Sequence, residues 1–180
     1  MVAGAVVLAE QIERPIKGLR DSKKLTKKQR QTLSLQIHEE ALAIGLGWVW
    51  PADIDKYGIS ISVKNAMRLA IDSIDMPYDQ VIIDGNINYL PEYANVETII
   101  KADDTVPAVS AASIVAKVAR DTYMATTAAT EYPEYGFVRH VGYGTAEHIA
   151  ALAKYGVTPV HRQSYKPIQR FSQLVIKSTT

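Results

Sequence analysis

Cysteine is absent from the 180 residues. This excludes a disulfide framework and a thiolate zinc site, so any metal must be held by oxygen or imidazole ligands. Long apolar runs are also missing: residues 2–9 are too few to span a bilayer, and no basic stretch precedes them of the kind that opens a signal peptide. No internal repeat, low-complexity tract or linker divides the chain. With 47% hydrophobic and 22% charged residues, the composition suits one globular domain over residues 1–180 with one sizeable core. We expect a cytoplasmic protein with no membrane partner.

Net charge is scarce too, at a formal +1, which alone argues against a nucleic-acid binder. The distribution says more. Residues 17–30 hold seven bases (Lys17, Arg20, Lys23, Lys24, Lys27, Lys28, Arg30) against Asp21, and no acid follows Glu147. Residues 51–104 reverse this, with ten acids against Lys56, Lys64, Arg68 and Lys101. Basic flanks around an acidic middle suit a polyanion held near a carboxylate-bound metal. They equally suit an ordinary solvated surface.

Hydrophobic periodicity predicts a layered α/β chain. Residues 2–9 read as a buried strand. Thr26-Lys27-Lys28-Gln29 has capping-box spacing, and a helix over 27–43 follows with Leu33, Ile37 and Ala41 on one face. Residues 43–50 form a second strand stopped by Pro51. Val63, Ala66, Met67, Ala70, Ile71 and Ile74 recur at helical spacing. Residues 80–84 and 96–101 are two short core strands. An alanine-rich helix over about 105–130 carries Ser110, Ser113, Lys117 and Asp121 on one polar stripe. Residues 131–144 read as an irregular loop, 145–155 as a helix, and 161–176 as a basic helical segment.

Asp84 ends a strand and precedes Gly85, which puts a carboxylate at the C-terminal edge of a sheet, where open α/β folds bind ligands. Asp-Gly is also a common turn pair. Asp103 and Asp104 sit between a strand and a helix, where capping is the plain alternative. If the two strands are parallel, Asp84 and Asp103 share one edge and offer the oxygen donors that Mg²⁺ or Mn²⁺ prefers. Two-metal phosphodiester hydrolysis needs more than two carboxylates, because ions about 4 Å apart must be bridged and flanked. Asp121, at i+4 from Lys117, is more simply an ion-pair partner than a third ligand.

Several runs resemble ribonuclease HII: Asp21-Ser22-Lys23-Lys24-Leu25; Ile83-Asp84-Gly85-Asn86; Lys101-Ala102-Asp103; Val109-Ser110-Ala111-Ala112-Ser113-Ile114-Val115-Ala116-Lys117, continuing to Arg120-Asp121; Tyr135-Gly136-Phe137; Gly142-Tyr143-Gly144-Thr145; and His161-Arg162-Gln163-Ser164-Tyr165. They keep that family's order and spacing over essentially the whole chain. The resemblance implies a ribonuclease H-like fold, a mixed β-sheet flanked by helices. It implies that Asp84 and Asp103 are catalytic, metal-binding carboxylates for Mg²⁺ or Mn²⁺, with no metal assigned to Asp121. Tyr143 matches a tyrosine that packs on the sugar beside a ribonucleotide, and an aromatic between two glycines can stack or simply fill a surface hollow. Lys23, Lys24 and Arg162 match phosphate contacts, or are solvated charge.

Members of that family begin with a strand leading into Asp-Glu-Ala-Gly-Arg-Gly-Pro, which supplies two further carboxylates and a contact to the ribose 2′-hydroxyl. The sequence opens instead at Met1-Val2-Ala3-Gly4-Ala5-Val6-Val7, which resembles the stretch just after that proline. The expectation is a start assigned too late and a sheet lacking its first, central strand, which would expose an edge on each neighbour. Val141 stands where a lysine is common. The expected function is a monomeric endonuclease that acts on RNA/DNA hybrids and cuts 5′ of ribonucleotides embedded in duplex DNA. The alternatives are a non-catalytic nucleic-acid-binding remnant and, more weakly, a metal-dependent enzyme for a small phosphorylated substrate.

Overall fold

The computed structural model describes residues 1–9 and 16–172. The chain divides into two compact units. The first comprises residues 1–48 and 63–119, and the second residues 49–62 and 120–180.

The first unit is built on four strands. Strand β1 (Val2–Val7) pairs antiparallel with β2 (Ala43–Trp48), in a register that runs from Val2 opposite Trp48 to Val7 opposite Ala43. Between them lies α1 (Lys27–Glu40), started by the predicted capping box: Thr26 accepts from the Gln29 amide, and Gln29 reaches back to the Thr26 amide. After α2 (Pro51–Tyr57) and α3 (Ile59–Asp72) come β3 (Val81–Asp84) and β4 (Val96–Ile99), which pair in parallel. Among the described residues the four strands form two separate two-stranded sheets.

Alternation along β1 and β2 sorts their side chains into two layers. Val6, Ile44 and Leu46 face a core of Leu25, Leu33, Ile37, Ala111, Ile114 and Val115 from α1 and the long helix α5 (Pro107–Tyr123). Ala5 faces the other way, toward Met67, Ile71 and Ile83. Glycine sets how near the helices come. A Cβ on Gly45 would lie 2.0 Å from the Ala70 carbonyl oxygen, and one on Gly47 would lie 1.8 Å from that of Ala66. On β1, a Cβ on Gly4 would lie 2.5 Å from the Ala112 carbonyl oxygen of α5. Only glycine allows helix backbone to rest on strand backbone in this way. Burying Ile37 and Ile114 completely contributes roughly 2 kcal/mol each.

The second unit is helical. After α5 a wide π turn, Met124–Ala128, leads into α6 (Ala129–Glu131), a 3-10 turn Pro133–Tyr135, α7 (Phe137–His140), α8 (Ala146–Tyr155) and α9 (Lys166–Ser172). Its core joins Met124, Ala128, Tyr135, Phe137, Ala151, Leu152, Ile168 and Phe171. The Tyr135 hydroxyl donates to the Gly156 carbonyl at 2.7 Å.

Four expectations need correction. Pro51 starts a helix as well as stopping a strand, because a proline at the first helical position gives up an amide that would be unpaired anyway. A short helix, α4 (Ala102–Thr105), precedes the long helix, which begins at Pro107 and gives way to the π turn after Tyr123. Residues 131–144 are short helical pieces separated by Gly136 in the left-handed region at φ 70°. Residues 161–165 form a turn, because Pro167 cannot donate to a helix begun upstream. Residues 173–176 of that predicted segment lie outside the described residues.

Gly47→Ala should destabilise the chain by about 3 kcal/mol, since backbone rather than a flexible side chain stands in the way. Urea unfolding checks this, and an unchanged midpoint would contradict the close approach.

Candidate functional site

Parallel pairing of β3 with β4 puts Asp84 opposite Ile99 at the C-terminal ends of both strands. Two residues on, Lys101 adopts φ 61° and ψ 35°. This left-handed turn costs a non-glycine residue about 1 kcal/mol and redirects the chain into α4. The Ala102 amide, first in α4, donates to Asp84 Oδ1 at 2.9 Å, so β3 and α4 are joined through one carboxylate. Asp103 follows in the same turn. It is buried, and its carbonyl accepts from the Ser110 hydroxyl of α5 at 2.6 Å.

The basic segment comes to the same place. Asp21 caps a 3-10 turn, Ser22–Lys24, by accepting from the Lys23 amide at 2.9 Å. Asp104 binds this turn across 83 residues of sequence: its Oδ1 accepts from the Asp21 amide at 3.3 Å, and its Oδ2 meets Lys24 Nζ at 2.5 Å. Ser113 on α5 donates to the Ser22 hydroxyl at 2.8 Å. Lys23 Nζ lies 3.4 Å from Asp21 Oδ1 and 3.7 Å from Asp103 Oδ2. Four aspartates (21, 84, 103, 104) and three lysines (23, 24, 101) line an open cleft of about 450 Å³.

The four carboxylates are not equivalent. The Lys23 backbone amide holds Asp21 below its ordinary pKa, and the Lys24 ammonium does the same for Asp104. Asp103 goes the other way: burial first, then the neighbouring charges of Asp84 and Asp21, push its carboxyl up. Lys23 is raised, since Asp21, Asp103 and Asp84 together outweigh the cost of its partial burial. A buried carboxylate crowded by like charge invites a cation, and an all-oxygen donor set suits a hard one. Asp84 and Asp103 thus fit Mg²⁺ or Mn²⁺ in kind. In number they fall short: among the described residues, no group of three or more acidic or imidazole side chains is arranged to hold a metal ion.

Of the residues singled out from sequence, Asp84, Asp103, Lys23 and Lys24 thus share one cleft. Tyr143 and Arg162 belong to the second unit. Tyr143 is exposed at the turn between α7 and α8, with the Arg120 guanidinium 5.4 Å from its ring centre. Arg162 lies over the Tyr165 ring at 4.9 Å. Asp121 pairs with Arg120 at 3.0 Å. The Asp55 carboxylate fixes the turn after Arg162 by accepting from the Gln163 and Ser164 amides at 2.8 and 2.9 Å.

Sequence reading missed the structural parts of Asp21 and Asp104, and it missed a buried histidine cluster in the second unit. His148 Nε2 meets His161 Nε2 at 2.9 Å, and the His140 and His148 rings stack with centres 4.8 Å apart. A lone histidine in a sequence carries no signal of such company. Burial, reinforced by His148, holds His161 down at about 4, and burial also lowers His148.

The family model for ribonuclease HII matches residues 1–168. The chain belongs to the ribonuclease HII family. It is a ribonuclease H enzyme by that membership. It is 43% identical over 178 residues to the ribonuclease HII of Shewanella sediminis, covering 94% of this chain and 81% of that protein. It is 46% identical over 169 residues to that of Polaromonas sp. strain JS666, covering 93% and 82%. Among solved structures, the ribonuclease H2 from Pyrococcus horikoshii matches with a TM-score of 0.72 at 22% identity, over 98% of this chain and 100% of that one. Bst-RNase HIII in complex with Mn²⁺ matches with a TM-score of 0.60 at 17% identity, over 91% and 59%. Both likenesses establish the fold, the expected ribonuclease H-like α/β architecture. No helix among the described residues is long and apolar enough to cross a membrane.

The histidine cluster gives a pH signature. The unfolded chain protonates His161 near its ordinary 6.5, whereas the folded chain resists protonation until about 4. The stability conferred by the neutral ring is therefore complete above about pH 6.5 and is lost as pH falls toward 4. Urea unfolding between these values should show the decline, and His161→Asn should flatten it. An equal slope in the variant would count against a buried neutral His161.

Proposed function

We propose that the protein hydrolyses the RNA strand of RNA/DNA hybrids and cuts on the 5′ side of ribonucleotides embedded in duplex DNA. Water adds to phosphorus, the bond to the 3′ oxygen breaks, and the products are a 3′-hydroxyl and a 5′-phosphate. The observation that carries this reading is that Asp84, at the end of β3, and Asp103, in α4, line one cleft bordered by lysines. Family membership over residues 1–168 supports it, and also supports taking the two compact units as parts of one ribonuclease HII-like domain.

Asp84 and Asp103 would hold Mg²⁺ or Mn²⁺. When bound, the metal would supply Lewis-acid stabilisation of the charge that develops on the phosphate oxygens and a more acidic water. The protein's own groups have distinct tasks. Asp84 keeps Oδ1 on the Ala102 amide, which holds its carboxylate in a fixed orientation. Asp103 stays anchored through the Ser110 bond to its carbonyl. Lys23 and Lys24 can turn from their aspartates to phosphate oxygens, and Arg162 offers a further phosphate contact. Tyr143 stacks on the sugar at the junction between ribonucleotide and deoxyribonucleotide. A second reading, binding of hybrids without cleavage, draws on the shortfall of ligands among the described residues.

The deciding experiment is cleavage of a DNA duplex carrying one ribonucleotide, with Mg²⁺ or Mn²⁺. Two forms are compared: this chain, and this chain preceded by the strand and Asp-Glu-Ala-Gly-Arg-Gly-Pro segment with which members of the ribonuclease HII family begin. Cutting by the extended form supports the nuclease. An extended form that folds and binds the duplex but never cuts establishes the binding reading instead. In the active form, Asp103→Asn should lower cleavage about a hundredfold or more. The same change should raise the unfolding midpoint at neutral pH, because the charged carboxylate is disfavoured in the fold. A loss of both activity and stability would make Asp103 a structural residue.

A further inference from the structure

His140, His148 and His161 are all buried, at 7, 4 and 6% exposure, and cleavage at Asp84 and Asp103 uses none of them. Their hydrogen bonds fix one tautomer each. His161 Nδ1 accepts from the Thr158 amide at 3.0 Å, so its proton is on Nε2 and is donated to His148 Nε2 at 2.9 Å. His148 therefore carries its proton on Nδ1, which donates to the Tyr143 carbonyl at 3.1 Å. His140 donates from Nε2 to the Tyr135 carbonyl at 2.9 Å and accepts on Nδ1 from the Gly142 amide at 3.2 Å. Each ring thus donates from one nitrogen and accepts on the other, so each nitrogen has a complementary partner.

This network ends at the turn that presents Tyr143. Val141 and Gly142 both lie in the left-handed region, at φ 44° and 80°, which is strained for a β-branched residue. Such a turn persists only where its surroundings over-determine it, and here the ties are visible. The Val141 amide donates to the Phe137 carbonyl at 2.8 Å, the Tyr143 amide to the His140 carbonyl at 2.9 Å, and the Thr145 amide to the Tyr143 carbonyl at 2.8 Å. His140 and His148 bond the Gly142 amide and the Tyr143 carbonyl from below, and His161 in turn orients His148. The ring of Tyr143 remains 55% exposed above a fixed backbone.

We propose that His148 is a positioning residue for substrate recognition. Its Nδ1–H holds the Tyr143 backbone so that the ring meets the sugar of a ribonucleotide, and His161 fixes the His148 tautomer that makes this possible. The logic is that of a supporting shell, where groups behind the contacting residue set its orientation. It rests on the reading of Tyr143 as a nucleic-acid contact. Because Arg162 follows His161 directly, the same rings also brace the start of the Arg162 turn.

Two near-isosteric replacements test it. The amide nitrogen of His148→Asn falls where Nδ1 was and can still donate to Tyr143. That of His148→Gln falls where Nε2 was and cannot. Affinity for a DNA duplex carrying one ribonucleotide is measured with the full chain, together with hydrogen exchange of the amides at 142–145. His148→Gln should weaken binding about tenfold and expose these amides, while His148→Asn stays within about twofold. A side chain that merely filled space would give the reverse order, since Asn leaves the larger hole, and that order would overturn the proposal. On a Tyr143→Ala background the Gln substitution should cost nothing further. A full tenfold loss there would also overturn it, because His148 would then act elsewhere than through Tyr143. If Tyr143→Ala binds normally, the Tyr143 reading fails and the proposal falls with it, whereas cleavage at Asp84 and Asp103 is judged by its own experiment.

Discussion

Helix backbone lying directly on strand backbone is the constraint from which the site follows. At Gly4 the Ala112 carbonyl of α5 approaches β1 with no side chain between them. That seat decides where Ser110 and Ser113 fall, one bonded to the Asp103 carbonyl and the other to the Ser22 hydroxyl. One helix thus carries both the buried carboxylate of α4 and the basic 3-10 turn. Gly45 and Gly47 do the same for α3 on the opposite face of the pair. A single methyl at these contacts would push a whole helix away, so the tolerance for change lies elsewhere.

What the glycines bring together is a conflict of charge. Asp103 is buried beside Asp84 and Asp21, and its carboxyl resists ionisation. Asp21 and Asp104 are relieved by amides and by Lys24, so the unrelieved charge is concentrated on one residue. A fold selected for stability alone would have no use for this arrangement. It fits a site that waits for positive charge, with Lys23 as a loosely held substitute 3.7 Å away and largely exposed.

Sequence disclosed the parts whose cause is local. The capping box at Thr26, the buried face of α3, the strand ending at Asp84 and the strand beginning at Val96 all follow from periodicity or from one side chain meeting its own backbone, although the second strand stops at Ile99 and not at Lys101. The polar stripe on α5 was legible as a stripe, but its use was not, because Ser22 is 91 residues from Ser113. Asp104 reads from sequence as a capping candidate and turns out to be a tether, for the same reason. Residues 131–144 failed differently. Glycines and aromatics suggested a loop, whereas the glycines punctuate short helical turns around Tyr135 and Phe137, rings buried in a core that no local pattern announces. The histidine cluster depends entirely on three distant residues meeting.

The lysines at the cleft are not idle charges. Lys24 already holds a carboxylate at 2.5 Å, and Lys23 shares two. A phosphate that engages either one exchanges one anion for another and leaves an aspartate to gather counterions of its own. Displacement of condensed cations from the nucleic acid, which normally makes such binding steeply sensitive to ionic strength, is then partly cancelled at the protein. Where Lys23 and Lys24 take up phosphate as proposed, the logarithm of affinity would fall with the logarithm of salt less steeply than the number of such contacts implies, and a shallow salt response would not then mean that few phosphates are touched.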